Sequence, residues 1–136
     1  EMQRSLVGSE MCIRDRGRIA LIWNSRVEDG PIVLEEGNIH RLYCPRFYGF
    51  SGGLADLTDR IGEFFDHRFR VFRFPNDLSY TRDQYLRRMM SASYALTEKD
   101  EGHSPWLDAL NGLFDRFETG GRVTVPNETV VYLGAC

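Results

Sequence analysis

Arg18–Asn24 reads RIALIWN, entered from Gly17 and left through the polar Asn24, Ser25 and Arg26. Continuous hydrophobicity over so few residues is how a strand covered on both faces of a parallel sheet reads. It points to an α/β fold. The apolar run Ile19–Trp23 is the longest in the chain and far short of the ~18 residues a membrane span requires. No transmembrane segment is expected.

Outward from this strand, Pro31 suits a first helical position, because its fixed φ matches the helix and its missing amide proton would be unpaired there anyway. The helix it opens should carry Ile32, Ile39, Leu42 and Tyr43 on one side and stop at Pro45. After a Gly-rich turn at Gly49, Gly52 and Gly53, the three- and four-residue steps of Leu54, Leu57, Ile61, Phe64 and Phe65 mark an amphipathic helix. Arg68–Phe74, RFRVFRF, alternates as a strand, with Phe69 and Val71 on one face and Arg70, Phe72 and Phe74 on the other, and Pro75 ends it. Thr81 and Gln84 have capping-box spacing ahead of a helix with Tyr85, Leu86, Met89 and Met90 on its buried side. A further helix starts at Ser104-Pro105 and repeats Trp106, Leu110, Leu113, Phe114 and Phe117 until Gly120-Gly121. Arg122–Leu133 is rich in Val and Thr and is broken by Pro126-Asn127, so it reads as a bent strand or two strands in line.

Composition bounds the class. The 136 residues are enough for about one domain, and two independent cores are not expected. With 42% hydrophobic and 27% charged residues the chain can build a core, which excludes a disordered or collagen-like polymer. A net charge of -3, with Lys99 the single lysine and the arginines interspersed with acids, argues against nucleic acid or an anionic membrane as partner. Cys12, Cys44 and Cys136 are odd in number and widely spaced, so neither a disulfide framework nor a zinc knuckle is supported and a cytoplasmic setting is expected.

Ser5–Arg16, SLVGSEMCIRDR, keeps neither a helical nor a strand period. It resembles the translated sequencing-adapter read-through found at the ends of metagenomic gene predictions. Residues 1–17 are therefore expected to be an artefactual or disordered arm, with the natural chain starting near Arg18 and an unknown length missing upstream.

Few patterns carry chemistry. His40 and Cys44 stand four apart on a helix, but a structural zinc needs four ligands and no second pair is visible, so a surface His and a semi-buried Cys are expected. Gly52-Gly53 lacks the Lys and Ser/Thr of a phosphate loop and the third glycine of a dinucleotide fingerprint. His67 and His103 have no nucleophile partner in sequence. Two clusters remain. Asn24, Ser25 and Arg26 sit at the C-terminal end of the first strand, where open α/β sheets bind ligands, and Ser91-Ala92-Ser93-Tyr94 gathers three hydroxyls at a helix end. The plain alternative for both is strand exit and helix termination.

Taken in order, RIALIWNSR, the helix ending LYCPRF, FRFPN, MMSASYA, SPWLDALNGLFDRFETGGRV and ETVVYLG resemble the C-terminal half of a class I S-adenosylmethionine-dependent methyltransferase, over about Arg18–Ala135. The resemblance implies a Rossmann-like sheet in which RIALIWN is strand five, RFRVFRF strand six and RVTVPNETVVYL the antiparallel strand seven between them, in order 5-7-6 with flanking helices. Residues 18–136 would be the C-terminal half of that domain. The Gly-rich loop after strand one and the acidic residue after strand two have no counterpart, so no cofactor-binding residue is transferred and this chain alone should not bind S-adenosylmethionine. What remains would be the side that meets an unknown methyl acceptor, with Asn24, Arg26, Ser91, Ser93 and Tyr94 as candidate substrate-binding residues, no assigned catalytic residue and no metal. The competing expectation is a non-catalytic binding or oligomerisation module, with Trp106, Phe114 and Phe117 forming an interface.

Overall fold

A computed structural model describes residues 17–50 and 55–135. Its elements are β1 (Arg18–Arg26), α1 (Pro31–Tyr43), α2 (Ala55–Phe64), β2 (Phe69–Pro75), β3 (Leu78–Thr81), α3 (Arg82–Met90), α4 (His103–Phe117), β4 (Arg122–Val125) and β5 (Asn127–Ala135). The described residues thus form a mixed α/β chain with four helices and small antiparallel sheets. They divide into two compact units with separate buried clusters, where chain length pointed to one core.

The first unit holds β1 to Ser25, α2, β2 to Phe74 and β5 from Thr129. Its sheet has the order β1-β5-β2, so the closing strand lies between the other two. Ile61 of α2 and the following Phe65 pack on Val130 and Tyr132 of β5, with Ile19, Leu21, Trp23 and Phe69 at the margin. Trp23 stacks on Tyr132 at 5.0 Å. Gly134 makes the close approach possible, since a Cβ there would stand 2.2 Å from the Phe65 ring.

The reading of β1 as a strand covered on both faces is corrected. Its burial alternates residue by residue, and Ile22 is 62% exposed. A parallel strand needs helices on both faces, whereas here Ile19, Leu21 and Trp23 meet the cluster and Ala20 and Ile22 face outward. The small sheet is antiparallel and not Rossmann-like, although the closing strand takes the middle place expected of it. In β2, Val71 and Phe74 are likewise exposed instead of filling the faces expected of them. Leu54, Gly52, Gly53 and the side chain of Leu57 lie outside the described residues.

The second unit runs from Arg26 through α1 and from Pro75 to Glu128. Pro126 separates β4 from β5, and the two join different sheets: β4 pairs antiparallel with β3, from Leu78 opposite Val125 to Thr81 opposite Arg122. The Thr81 capping box forms, with the Gln84 amide donating to Thr81 Oγ1 at 3.4 Å and the Thr81 amide to Gln84 Oε1 at 3.0 Å. Trp106, Leu110, Leu113 and Phe114 of α4 are fully buried against Val33, Tyr85, Met89, Val123 and Val125. Trp106 and Phe114 are therefore core residues, and the expectation that they form an exposed interface is overturned; Phe117 packs at the core's edge.

Helix α1 corrects the sequence in a way that matters for function. Leu42 is 74% exposed, and the buried face consists of Ile32, Val33, Glu36, Gly37 and His40. Among the described residues no helix is long and apolar enough to cross a membrane, and no three metal-ligating side chains cluster.

Candidate functional site

Val33, Glu36, Gly37, His40 and Cys44 recur at the three- and four-residue steps that place side chains on one helical face. Three of the five, Glu36, His40 and Cys44, are ionisable, and Glu36 and His40 are completely buried. The Phe50 ring packs against Gly37, where a Cβ would stand only 3.3 Å from it. A buried carboxylate and imidazole are costly unless something compensates them.

Trp106 Nε1 donates to His40 Nδ1 at 3.2 Å. An imidazole that accepts at Nδ1 carries its proton on Nε2 when neutral. Burial first, and Arg26 second, pull the His40 pKa down to about 4, so the ring is neutral near pH 7. Its Nε2 is a buried donor with no hydrogen-bond partner. Rings surround it: Tyr94 at 4.9 Å, Phe47 at 5.2 Å and Phe50 at 6.0 Å between centroids.

Both carboxylate oxygens of Glu36 also lack a hydrogen-bond partner. Burial raises the Glu36 pKa, and Arg26, Arg88 and the Tyr85 hydroxyl oppose the rise. Tyr85 influences the carboxylate without closing a hydrogen bond of ordinary geometry, since its own hydroxyl is unpartnered too. Burial and then Glu36 hold the Tyr85 hydroxyl in its neutral form.

Three further elements complete the cluster. Arg26, at the exit of β1, lays its guanidinium over the Phe50 ring at 4.4 Å and leaves Nε buried and unpartnered. Arg88, on α3, stacks its guanidinium 5.2 Å from the Tyr80 ring and leaves Nη1 in the same state. Tyr94, beyond α3, has an unpartnered buried hydroxyl whose pKa burial raises. Six side chains thus leave buried polar atoms without a hydrogen bond of ordinary geometry.

Of the residues proposed from sequence, Arg26 and Tyr94 enter this cluster. Asn24 is exposed in the first unit, where its Oδ1 accepts from Thr129 Oγ1 at 2.9 Å. Ser91 caps α3, and its hydroxyl donates to the Arg88 carbonyl at 2.8 Å, which is the plain helix-termination role. Ser93 is exposed. Cys44 is a buried free thiol, its pKa raised by burial, and His40 is nowhere near the surface expected of it. Glu36 and Arg88 were not singled out from sequence, His40 was weighed only as a metal ligand beside Cys44, and Tyr85 was read only as a core residue; the signal was the phase that Glu36 and His40 share with Val33 and Cys44.

No known protein family, curated protein or solved structure matches the chain.

Proposed function

We propose that this chain is the acceptor-side part of a class I S-adenosylmethionine-dependent methyltransferase, working in the reducing cytoplasm. The observation that carries the reading is the convergence of Arg26 and Tyr94. They were nominated from two separate motifs, WNSR and SASY, and their polar atoms turn into one buried cluster.

The methyl donor, when bound, supplies an electrophilic methyl on a sulfonium. A donor of this class needs a Gly-rich turn for close backbone approach and a carboxylate for the ribose. In the passage from β1 to α1 the only glycine is Gly30, and a Cβ on it would meet Pro126 Cγ at 2.9 Å. That glycine packs against protein and leaves no open cradle. The described residues do not fit the donor, and they bear on the acceptor alone.

For the acceptor their contribution is position. Displacement at a methyl group gains most of its rate from holding the two reactants in line and in contact. Arg26, Arg88, Tyr85, Tyr94 and His40 present fixed donors to it. His40 orients and does not abstract a proton, since its Nδ1 is engaged by Trp106 and its Nε2 bears the hydrogen.

The test is transfer of a radiolabelled methyl group by a longer parent chain. Arg26→Ala and Tyr94→Phe should each raise KM for the acceptor about tenfold or more, the scale of a lost hydrogen bond to a charged group, with donor affinity unchanged. Loss of donor binding in either variant, or wild-type kinetics in both, would contradict the assignment.

A further inference from the structure

The first unit carries a cavity that the buried cluster does not use. Its volume is about 400 Å³, and it opens at the end of the sheet where β1 and β2 begin and β5 finishes. Pockets of roughly 300–1,000 Å³ take small organic ligands. Arg18, Arg68, Arg70 and His67 line it together with the apolar Phe69 and Leu133, and no carboxylate side chain does. Three guanidinium groups around one opening, with no acid in its wall, repel one another unless an anion comes between them.

The backbone sets this wall. Asp66 and His67 adopt φ of 50° and 54° in succession, the left-handed region that favours glycine. The His67 amide donates to the Gly62 carbonyl at 2.7 Å, and the His67 ring lies against Gly62, where a Cβ would stand 2.9 Å from Nδ1. Backbone in so sparsely populated a region persists where the surrounding structure fixes it, and such positions gather at ligand-binding sites. The turn delivers His67, Arg68 and Arg70 to the cavity within one short stretch of chain.

Charge decides the ligand. Asp66 pairs with Arg68 at 3.0 Å, the two side chains being 80% and 82% exposed, whereas no carboxylate of the described residues pairs with Arg18 or Arg70. Three guanidinium groups less one carboxylate leave two positive charges. A phosphate monoester carries about −1.5 to −2 at pH 7 and offers three acceptor oxygens, which guanidinium forks bind in pairs. A monocarboxylate would leave one arginine unmatched. The net charge of -3 over the whole chain opposes a nucleic-acid strand running on beyond the cavity.

We propose that this cavity binds a small organic phosphomonoester, its phosphate held by Arg18, Arg68 and Arg70 and its apolar body against Phe69 and Leu133. Such binding does not depend on the methyltransferase reading.

The full 136-residue chain is titrated calorimetrically at pH 7 with phenyl phosphate, inorganic phosphate, phenol and a short single-stranded oligonucleotide. Phenyl phosphate should bind one to one. Inorganic phosphate and phenol should each bind at least about tenfold more weakly, because each lacks one half of the recognised group, and the oligonucleotide should not displace phenyl phosphate. Arg18→Gln and Arg70→Gln should each weaken phenyl phosphate by about tenfold or more, the scale of a charge-assisted hydrogen bond. Arg41→Gln, on α1 and outside the cavity, should leave it unchanged. Arg18 and Arg70 are exposed, and circular dichroism checks that their variants fold; if either unfolds, the ranking of ligands on the wild-type chain decides. No phenyl phosphate binding, binding no tighter than that of phenol or inorganic phosphate, or preference for the oligonucleotide would overturn the proposal. So would wild-type affinity in both cavity variants, or equal weakening by Arg41→Gln.

Discussion

Glu36 and His40 sit one helical turn apart in the same buried neighbourhood, yet they couple stability to pH in opposite directions. The His40 pKa is about 4 in the folded chain against about 6.5 in an unfolded one. The unfolded chain therefore binds more protons between these values, and stability is lost as pH falls through the window, by up to roughly 3 kcal/mol. Glu36 has a raised folded pKa, so its contribution is complete below the ordinary carboxylate range and is lost as pH rises through the folded value. In the wild-type chain the two slopes partly cancel. Glu36→Gln should leave the His40 slope, with stability climbing from pH 4 to 6.5, and His40→Asn should leave the Glu36 slope, with stability declining as pH rises above the ordinary carboxylate range. Urea unfolding at a series of pH values reads both, and slopes of the same sign in the two variants would contradict the burial assigned to this pair.

At the scale of elements, stability should follow observed burial and not hydrophobicity. Leu42→Gln should change stability by no more than about 0.5 kcal/mol, since Leu42 is exposed, whereas Leu110→Ala, which empties a fully buried site, should cost about 2–5 kcal/mol. Thr81→Ala removes the capping box of α3 and should cost about 1 kcal/mol. Denaturant midpoints at constant slope check all three. The same contrast explains what was legible in the sequence. The buried face of α4 was readable because each of its positions, Trp106, Leu110, Leu113 and Phe114, is apolar. The box at Thr81 and Gln84 was readable because it depends on local spacing alone. Helix α1 opens at Pro31 as expected and ends at Tyr43, just short of the Pro45 stop, but of the face expected for it only Ile32 is buried, because the buried side carries Glu36, Gly37 and His40, which hydrophobicity assigns to solvent. Glu36 and Arg88, which were missed, and His40, which was expected at the surface, are polar groups that only tertiary packing buries; Arg26 and Tyr94 were found from motif position.

At the scale of the whole molecule, the described strands leave β1 and β2 at the sheet's edges, with Ile22, Val71 and Phe74 exposed. Continuous apolarity in RIALIWN could not disclose this, because a strand buried on two faces and an edge strand with one open face have the same composition. An edge strand with exposed apolar side chains templates association. The chain should therefore associate at high concentration, and Ile22→Lys should suppress association without altering the fold, because it puts a charge on the open face. Light scattering across a concentration series measures this, and a wild-type chain that stays monomeric would contradict it.

The central claim is that Arg26 and Tyr94, nominated from separate motifs, belong to one buried polar cluster with Glu36, His40, Tyr85 and Arg88. A crystal structure of the chain tests it most directly. The account predicts these six side chains in one buried neighbourhood, with Trp106 Nε1 donating to His40 Nδ1. Arg26 or Tyr94 turned to solvent, away from Glu36 and His40, would contradict it.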